Sequence, residues 1–309
     1  MSRRRSKAVL QTCARTVCLF SALLAISMDA RAQEPAITAG DPAVVPILKL
    51  LGEYCTQLRK DFHNYVAEER DTQKRYKRSG ELDRERHILA DYYMVSLPSA
   101  PTEQTDFREV LEVDGKKVGR SRGALLKLLT KPSRDLPKEY DRLKRESNRY
   151  ELLWGSAFLS SVALVLPMYG LPENQTHTAY SLAAGEPQAP DQWIVDFHEV
   201  GTQTILWRSR RSQSSGPLPA SGRFYLAKPD GRILRAEISV NLPPGDAAAR
   251  LRYVVEYQPD KDNHMLPGRR LVFVYDPKWQ NSLIAESEAT YSNFRRFSAN
   301  SRIVSWEVP

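Results

Sequence analysis

Three cysteines, five histidines and fifteen glycines in 309 residues leave little room for several kinds of chemistry. Cys13, Cys18 and Cys55 are too few for a disulfide scaffold or for a zinc site built on cysteine. His63, His87, His177, His198 and His264 lie far apart in sequence. The chain has no G-x-S-x-G elbow, no G-x-G-x-x-G opening a helix, no P-loop and no H-E-x-x-H pair. The glycine count also excludes a collagen-like chain, and a mean hydropathy of −0.48 excludes a polytopic membrane protein. No catalytic residues, metal ligands or cofactor are predicted.

What is present begins with an export signal. Arg3, Arg4, Arg5 and Lys7 form a basic start, and VCLFSALLAISM (Val17 to Met28) follows without a charge. That run is too short to span a bilayer comfortably. Ala30 and Ala32 supply the small residues that signal peptidase needs, so cleavage is expected between Ala32 and Gln33. Residues 1–32 then read as a signal peptide and 33–309 as one α+β domain, periplasmic or secreted. Six of the 45 basic residues and one of the 37 acidic ones lie in 1–32, so the formal charge falls from +8 to +3. Most of the basic excess belongs to the signal, and so do two of the three cysteines. The remaining chain must stand on its core.

Residues 42–66 read as an amphipathic helix. Val44, Leu48, Leu51, Cys55, Leu58, Phe62 and Tyr65 recur at steps of three and four, which stacks them on one face. Pro46 is tolerable there only in the first turn. Residues 67–113 read as two or three antiparallel strands, solvated on one face. Helices are expected within 121–166, with Leu136, Tyr140, Leu143, Ser147 and Tyr150 on one stripe. The segment 152–172 carries no charge and predicts a helix buried against the sheet, with membrane contact as the alternative. After a connector rich in proline, glycine and alanine, residues 192–300 read as a β-meander. Its clearest hairpin turns at KPDGR (Lys228 to Arg232), because proline fixes one turn residue and glycine accepts positive φ. In the return strand Leu234, Ala236, Ile238 and Val240 alternate with Arg235, Glu237 and Ser239, giving one core face and one wet face.

Two constellations merit weighing for chemistry. Asp196 and His198 share a strand face beside Glu199 and could relay a proton or bind a metal. An exposed polar strand is the commoner meaning of such a pair, and a hydrolase is the alternative function. Arg208, Arg210 and Arg211, and Arg295-Arg296 between Phe294 and Phe297, suggest base stacking. Without an RNA-binding signature, and in an exported chain, no nucleic-acid partner is expected.

GRFYLAKPDGRILRAEI (Gly222 to Ile238) and EATYSNFRRF (Glu288 to Phe297) resemble the late strands of the bacterial lipoprotein-carrier group, which includes periplasmic lipoprotein chaperones and sigma-factor regulators. FREVLEVDG (Phe107 to Gly115) resembles exported bacterial proteins of unassigned function. The first resemblance implies a curved antiparallel half-barrel with helices over its concave face, binding acyl chains without transforming them. On that reading the partner is a lipid or an acylated protein, with peripheral envelope contact. The ligand would meet Trp154, Phe158, Val162 and Val165 on a closing segment, and Trp193, Phe224, Tyr253 and Phe273 on the strands. The same eight residues would equally make a sealed core. A non-enzymatic binding or scaffold protein is the expectation; an envelope-surface interaction protein is the third class.

Overall fold

The computed structural model describes residues 41–62, 64–97, 100–118, 136–152, 162–183, 190–201, 204–208, 216–242, 248, 250–276 and 282–297. The chain opens with a 3-10 turn, Pro42–Val44, capped by Asp41, whose Oδ1 accepts from the Ala43 N–H at 2.9 Å. Helix α1 follows, Val45–Lys60, with Pro46 in its first turn, where no backbone donor is lost. It is shorter than the 42–66 read from periodicity. Asp61 ends it, and Tyr65, although at helical spacing, lies in strand β1, Asn64–Tyr76. Strands β2 (Leu82–Leu97) and β3 (Ala100–Val113) complete the first meander, and β4 (Lys116–Lys117) returns from the Asp114-Gly115 turn.

Helix α2, Leu136–Ser147, lies in the expected helical region; residues 121–135 and 153–161 fall outside the described residues. One helical turn, α3 (Val162–Val165), runs into a 3-10 turn, Leu166–Gly170, and then α4, Pro172–Gln175. The connector conceals a strand, β5 (Thr178–Leu182), which composition alone did not reveal. The rest is β: β6 (Gln192–Glu199), β7 (Trp207–Arg208), β8 (Gly216–Pro217), β9 (Ala220–Ala227), β10 (Ile233–Asn241), β11 (Arg250–Pro259), β12 (Met265–Tyr275) and β13 (Leu283–Phe297).

Eleven of these strands form one antiparallel sheet in the order β4-β3-β2-β1-β13-β12-β11-β10-β9-β6-β5, and β7 and β8 form a separate two-stranded sheet. The end strands β4 and β5 do not meet, so the sheet is open, as the half-barrel expectation requires. Pairing of β1 with β13 joins the first meander to the later strands, for example with Asp71 opposite Ala289. The KPDGR hairpin joins β9 to β10, with Gly231 at φ 70°. A Cβ there would also press on the backbone of Leu50 in α1 at 3.0 Å. The alternation of β10 holds from Ala236 onward. A bulge between Ile233 and Arg235 breaks it earlier, so Ile233 rather than Leu234 is buried.

One face of the sheet, here the inner face, receives α1 and the 162–175 segment. Register fixes which residues line it. A single row runs Ile88, Asp71, Ala289, Arg270, Val255, Ala236, Phe224, Val195 from β2 to β6. On the β9–β12 side the inner face is apolar and meets Val44, Leu48, Leu51 and Cys55 of α1. Each large apolar side chain buried there contributes about 1.5–3 kcal/mol. On the β1–β3 side the same face turns ionic. Among the described residues no helix is long and apolar enough to cross a membrane, and Val162–Gly170 is broken into short turns packed on the core.

Candidate functional site

An apolar pocket of about 230 Å³ opens where α1, the 162–171 segment and strands β2, β3, β11 and β12 converge. The helix contributes Cys55, Leu58 and Arg59, followed by Phe62; the crossing segment contributes Ala163, Leu164, Val165, Pro167, Met168 and Leu171. Met94, Tyr257, Met265, Leu266 and Pro267 form the strand wall, with Gln104 at its edge. Met94 and Met265 on this wall, with Met168 on the crossing segment, give the pocket flexible, polarizable side chains that fill irregular space and re-pack around an apolar guest. The volume lies below the about 300–1,000 Å³ of pockets for drug-sized ligands, which suits one slender chain rather than a bulky ligand.

Specific contacts hold the crossing segment in place. The Tyr257 hydroxyl donates to the Ala163 carbonyl at 3.0 Å, and the Tyr180 hydroxyl to the Tyr169 carbonyl at 2.5 Å. Buried Gln175 donates from Nε2 to the carbonyls of Gly170 at 2.7 Å and Leu48 at 3.1 Å, tying α4 to α1. Gly170 makes the close approach possible: a Cβ there would lie 2.6 Å from Cys55 Sγ. Cys55 is fully buried, and desolvation pushes its thiol well above the usual range, so it stands as apolar lining rather than as a nucleophile.

Beside the pocket the inner face carries a buried ionic cluster. Met94 and Leu266 pack with Tyr92 and Tyr291, whose rings stand 4.9 Å apart. Beyond them Arg108 binds Glu69 through Nε and Nη2 at 2.5 and 2.8 Å, and Asp71 through Nη2 at 3.1 Å; it also pairs with Glu151. Arg270 Nη2 lies 3.6 Å from both Glu69 and Asp71. Gln73 donates to Asp71 at 2.8 Å and to Glu151 at 2.6 Å, and its own oxygen accepts from the Leu152 N–H at 2.7 Å. Burial alone would favour the neutral guanidinium, but Glu151, Glu69 and Asp71 outweigh it and hold Arg108 charged. For Glu151 burial wins over Arg108 and raises the carboxyl above its ordinary value. The cluster fastens the chain leaving α2 to β1 and β3. Glu69 and Asp71 are 0% and 1% exposed, while Arg70 between them faces solvent on the other side of the strand.

Of the eight residues expected to line a ligand site, Val165 lines the pocket. Val162, Phe224 and Tyr253 are buried in the adjoining core, and Trp193 packs at its margin. Phe273 must be corrected: it faces the opposite side of β12, with the Arg252 guanidinium 5.6 Å above its ring. Strand alternation places Val272 and Val274 inside in its stead. Trp154 and Phe158, and the cleavage residues Ala32 and Gln33, lie outside the described residues. Cys55, Leu58 and Phe62 were legible on the apolar face of the helix pattern. Met94, Met265 and Leu266 carried no signal of convergence, since their neighbourhood is set by strand order.

Elsewhere, Asp196 is held by Arg223 through two bonds of 2.5 and 3.0 Å on the outer face, while His198 is exposed beside it. Glu199 points inward and accepts from the backbone N–H groups of Ile205 and Ala220 at 2.6 and 2.8 Å, pinning a loop. Arg295 pairs with Asp91 at 3.3 Å, which occupies it away from base stacking. In the β11–β12 turn Asp260, Asp262 and His264 approach within 4.8 Å of one another, the spacing of a metal site. Arg296 Nη2 reaches all three, at 2.9, 2.6 and 3.1 Å, so a guanidinium already supplies the positive charge.

No family model and no curated protein matches this chain. A solved structure of a DUF1329 family protein from Desulfovibrio piger covers 81% of this chain and 92% of its own, at 11% identity and a TM-score of 0.30, a likeness too slight to support any functional argument.

Proposed function

We propose that this chain is an exported, non-enzymatic binding protein of the bacterial envelope that holds an apolar or acylated ligand between α1, the 162–171 segment and the inner sheet face. The observation that supports this reading is the pocket of about 230 Å³, lined by leucine, methionine, valine, proline and phenylalanine side chains. Burying apolar ligand surface there contributes about 25 cal/mol per Å² before the costs of association. A pocket on the sheet face that α1 covers supports the acyl-carrier reading. Export rests on the basic start, the apolar run and the small residues before Gln33.

Two measurements test the proposal. Protein purified from a bacterial envelope should carry an extractable acyl ligand visible by mass spectrometry, and its first residue should be Gln33. Val165→Trp should fill the pocket, remove most of the extracted ligand and leave the circular dichroism spectrum unchanged. A protein that purifies without ligand and ignores added fatty acids removes the binding reading; an intact residue 1–32 segment removes the cleavage reading.

A further inference from the structure

Among the described residues the pocket wall is apolar apart from a few polar side chains. Tyr257 spends its hydroxyl on the Ala163 carbonyl, and Cys55 is a buried neutral thiol. That leaves Arg59, near the end of α1, and the Gln104 amide on β3. Arg59 gives only Nη1 to Glu173, at 2.5 Å, in an ion pair whose side chains are 37% and 52% exposed. An ion pair that open contributes about 0–1 kcal/mol and exchanges partners readily. Among the described residues no carboxylate lines the pocket wall. A guest with a cationic head would have to take Glu173 from Arg59, and a plain hydrocarbon would leave the remaining guanidinium donors unused.

We propose that the pocket takes the single hydrocarbon chain of an amphiphile whose anionic head, a carboxylate or a phosphate ester, is bound at the mouth by Arg59 and Gln104. This rests on the reading of the pocket as an apolar-ligand site. Volume favours a single chain over the two or three of a diacyl or triacyl anchor, since about 230 Å³ encloses only part of one long chain. Geometry supports the head, because a guanidinium offers a planar fork to an oxyanion and a primary amide adds a further donor. Glu173 is then a competitor. Burial would raise its carboxyl, but backbone N–H groups and Arg59 outweigh burial and hold it below its ordinary value. It therefore guards the mouth as a charged group that an incoming anion must displace or join.

The test compares palmitate, hexadecyl phosphate and hexadecanol by calorimetric titration of the delipidated protein. Both anions should bind about tenfold more tightly than the alcohol, the yield of one charge-assisted contact. Arg59→Gln should abolish that preference, and hexadecanol binding retained by the variant shows that it is folded. Glu173→Gln should tighten the anions alone, because it frees the guanidinium. Palmitate ahead of hexadecyl phosphate assigns a free fatty acid, and the reverse order a monoacyl phospholipid. Equal binding of all three, or a preference that survives Arg59→Gln, overturns the anionic-head assignment and leaves the apolar pocket standing. Binding by none of the three overturns both.

Discussion

Arg108 grips both carboxylate oxygens of Glu69 across the width of a strand. Nε reaches Oε2 at 2.5 Å and Nη2 reaches Oε1 at 2.8 Å, although the two residues stand on β3 and β1. The β2 residue opposite Glu69 is Ala90, whose short side chain leaves room for the pair to meet above it. Removing the arginine strands Glu69, Asp71 and Glu151 in a dry interior. Arg108→Met should therefore cost about 3–5 kcal/mol, read as a fall in the urea midpoint. Replacing Glu69 and Arg108 together by apolar residues should recover part of that loss, since the charge left behind causes most of it.

The β11–β12 turn should make a separate, pH-dependent contribution. Burial would raise the Asp260 carboxyl, but the His264 and Asp262 N–H groups and Arg296 outweigh it and hold it below its ordinary value of 3.8. A carboxyl depressed in the folded state adds stability above its unfolded pKa and loses it as pH falls through the folded one. Asp260→Asn should accordingly be less stable than the parent at neutral pH. The difference should shrink as pH drops through the carboxylate range. A constant difference in urea midpoint across that range would contradict the assignment.

Two glycines should tolerate no side chain, and to different degrees. At Gly170 a Cβ meets Cys55 Sγ at 2.6 Å and Leu51 Cγ at 2.9 Å, side-chain atoms that can shift slightly. Gly170→Ala should cost about 1–3 kcal/mol by pushing the crossing segment off α1. At Gly222 the obstacle is the Glu237 carbonyl oxygen at 2.1 Å, together with the Phe197 ring. Backbone cannot step aside, so Gly222→Ala should be the more damaging in thermal melts.

Cys55 should be chemically silent in the folded protein. It is 1% exposed and its thiol is pushed far up by burial, so iodoacetamide should label it only after unfolding. Labelling at a rate independent of denaturant would show that α1 and the Leu166–Gly170 turn open freely. Protection that fatty acid increases would place a guest against this wall.

The sequence alone determined the features that arise from local chemistry. Residue spacing put Leu48, Leu51 and Cys55 on one helical face, Pro46 is tolerated only in that helix's first turn, and Pro229, Asp230 and Gly231 mark a turn. Alternation in β10 told core from solvent until a bulge at Ile233 shifted it by one residue. Long strands and few helical stripes already implied an α+β meander.

Strand order decided the rest. Nothing local marks Glu69, Asp71 and Gln73 as buried, because Arg108, which neutralises the carboxylates, lies 39 residues beyond Glu69 and reaches it across β2. Phe273 and Val272 look equally suited to a core, and register alone turned the valine inward. The pocket is assembled from residues that no local pattern joins: Met94 of β2, Leu266 of β12 and Val165 of the crossing segment. Side-chain periodicity records which face a residue takes on its own element; which elements share that face is set by long-range pairing, and only the tertiary structure carries it.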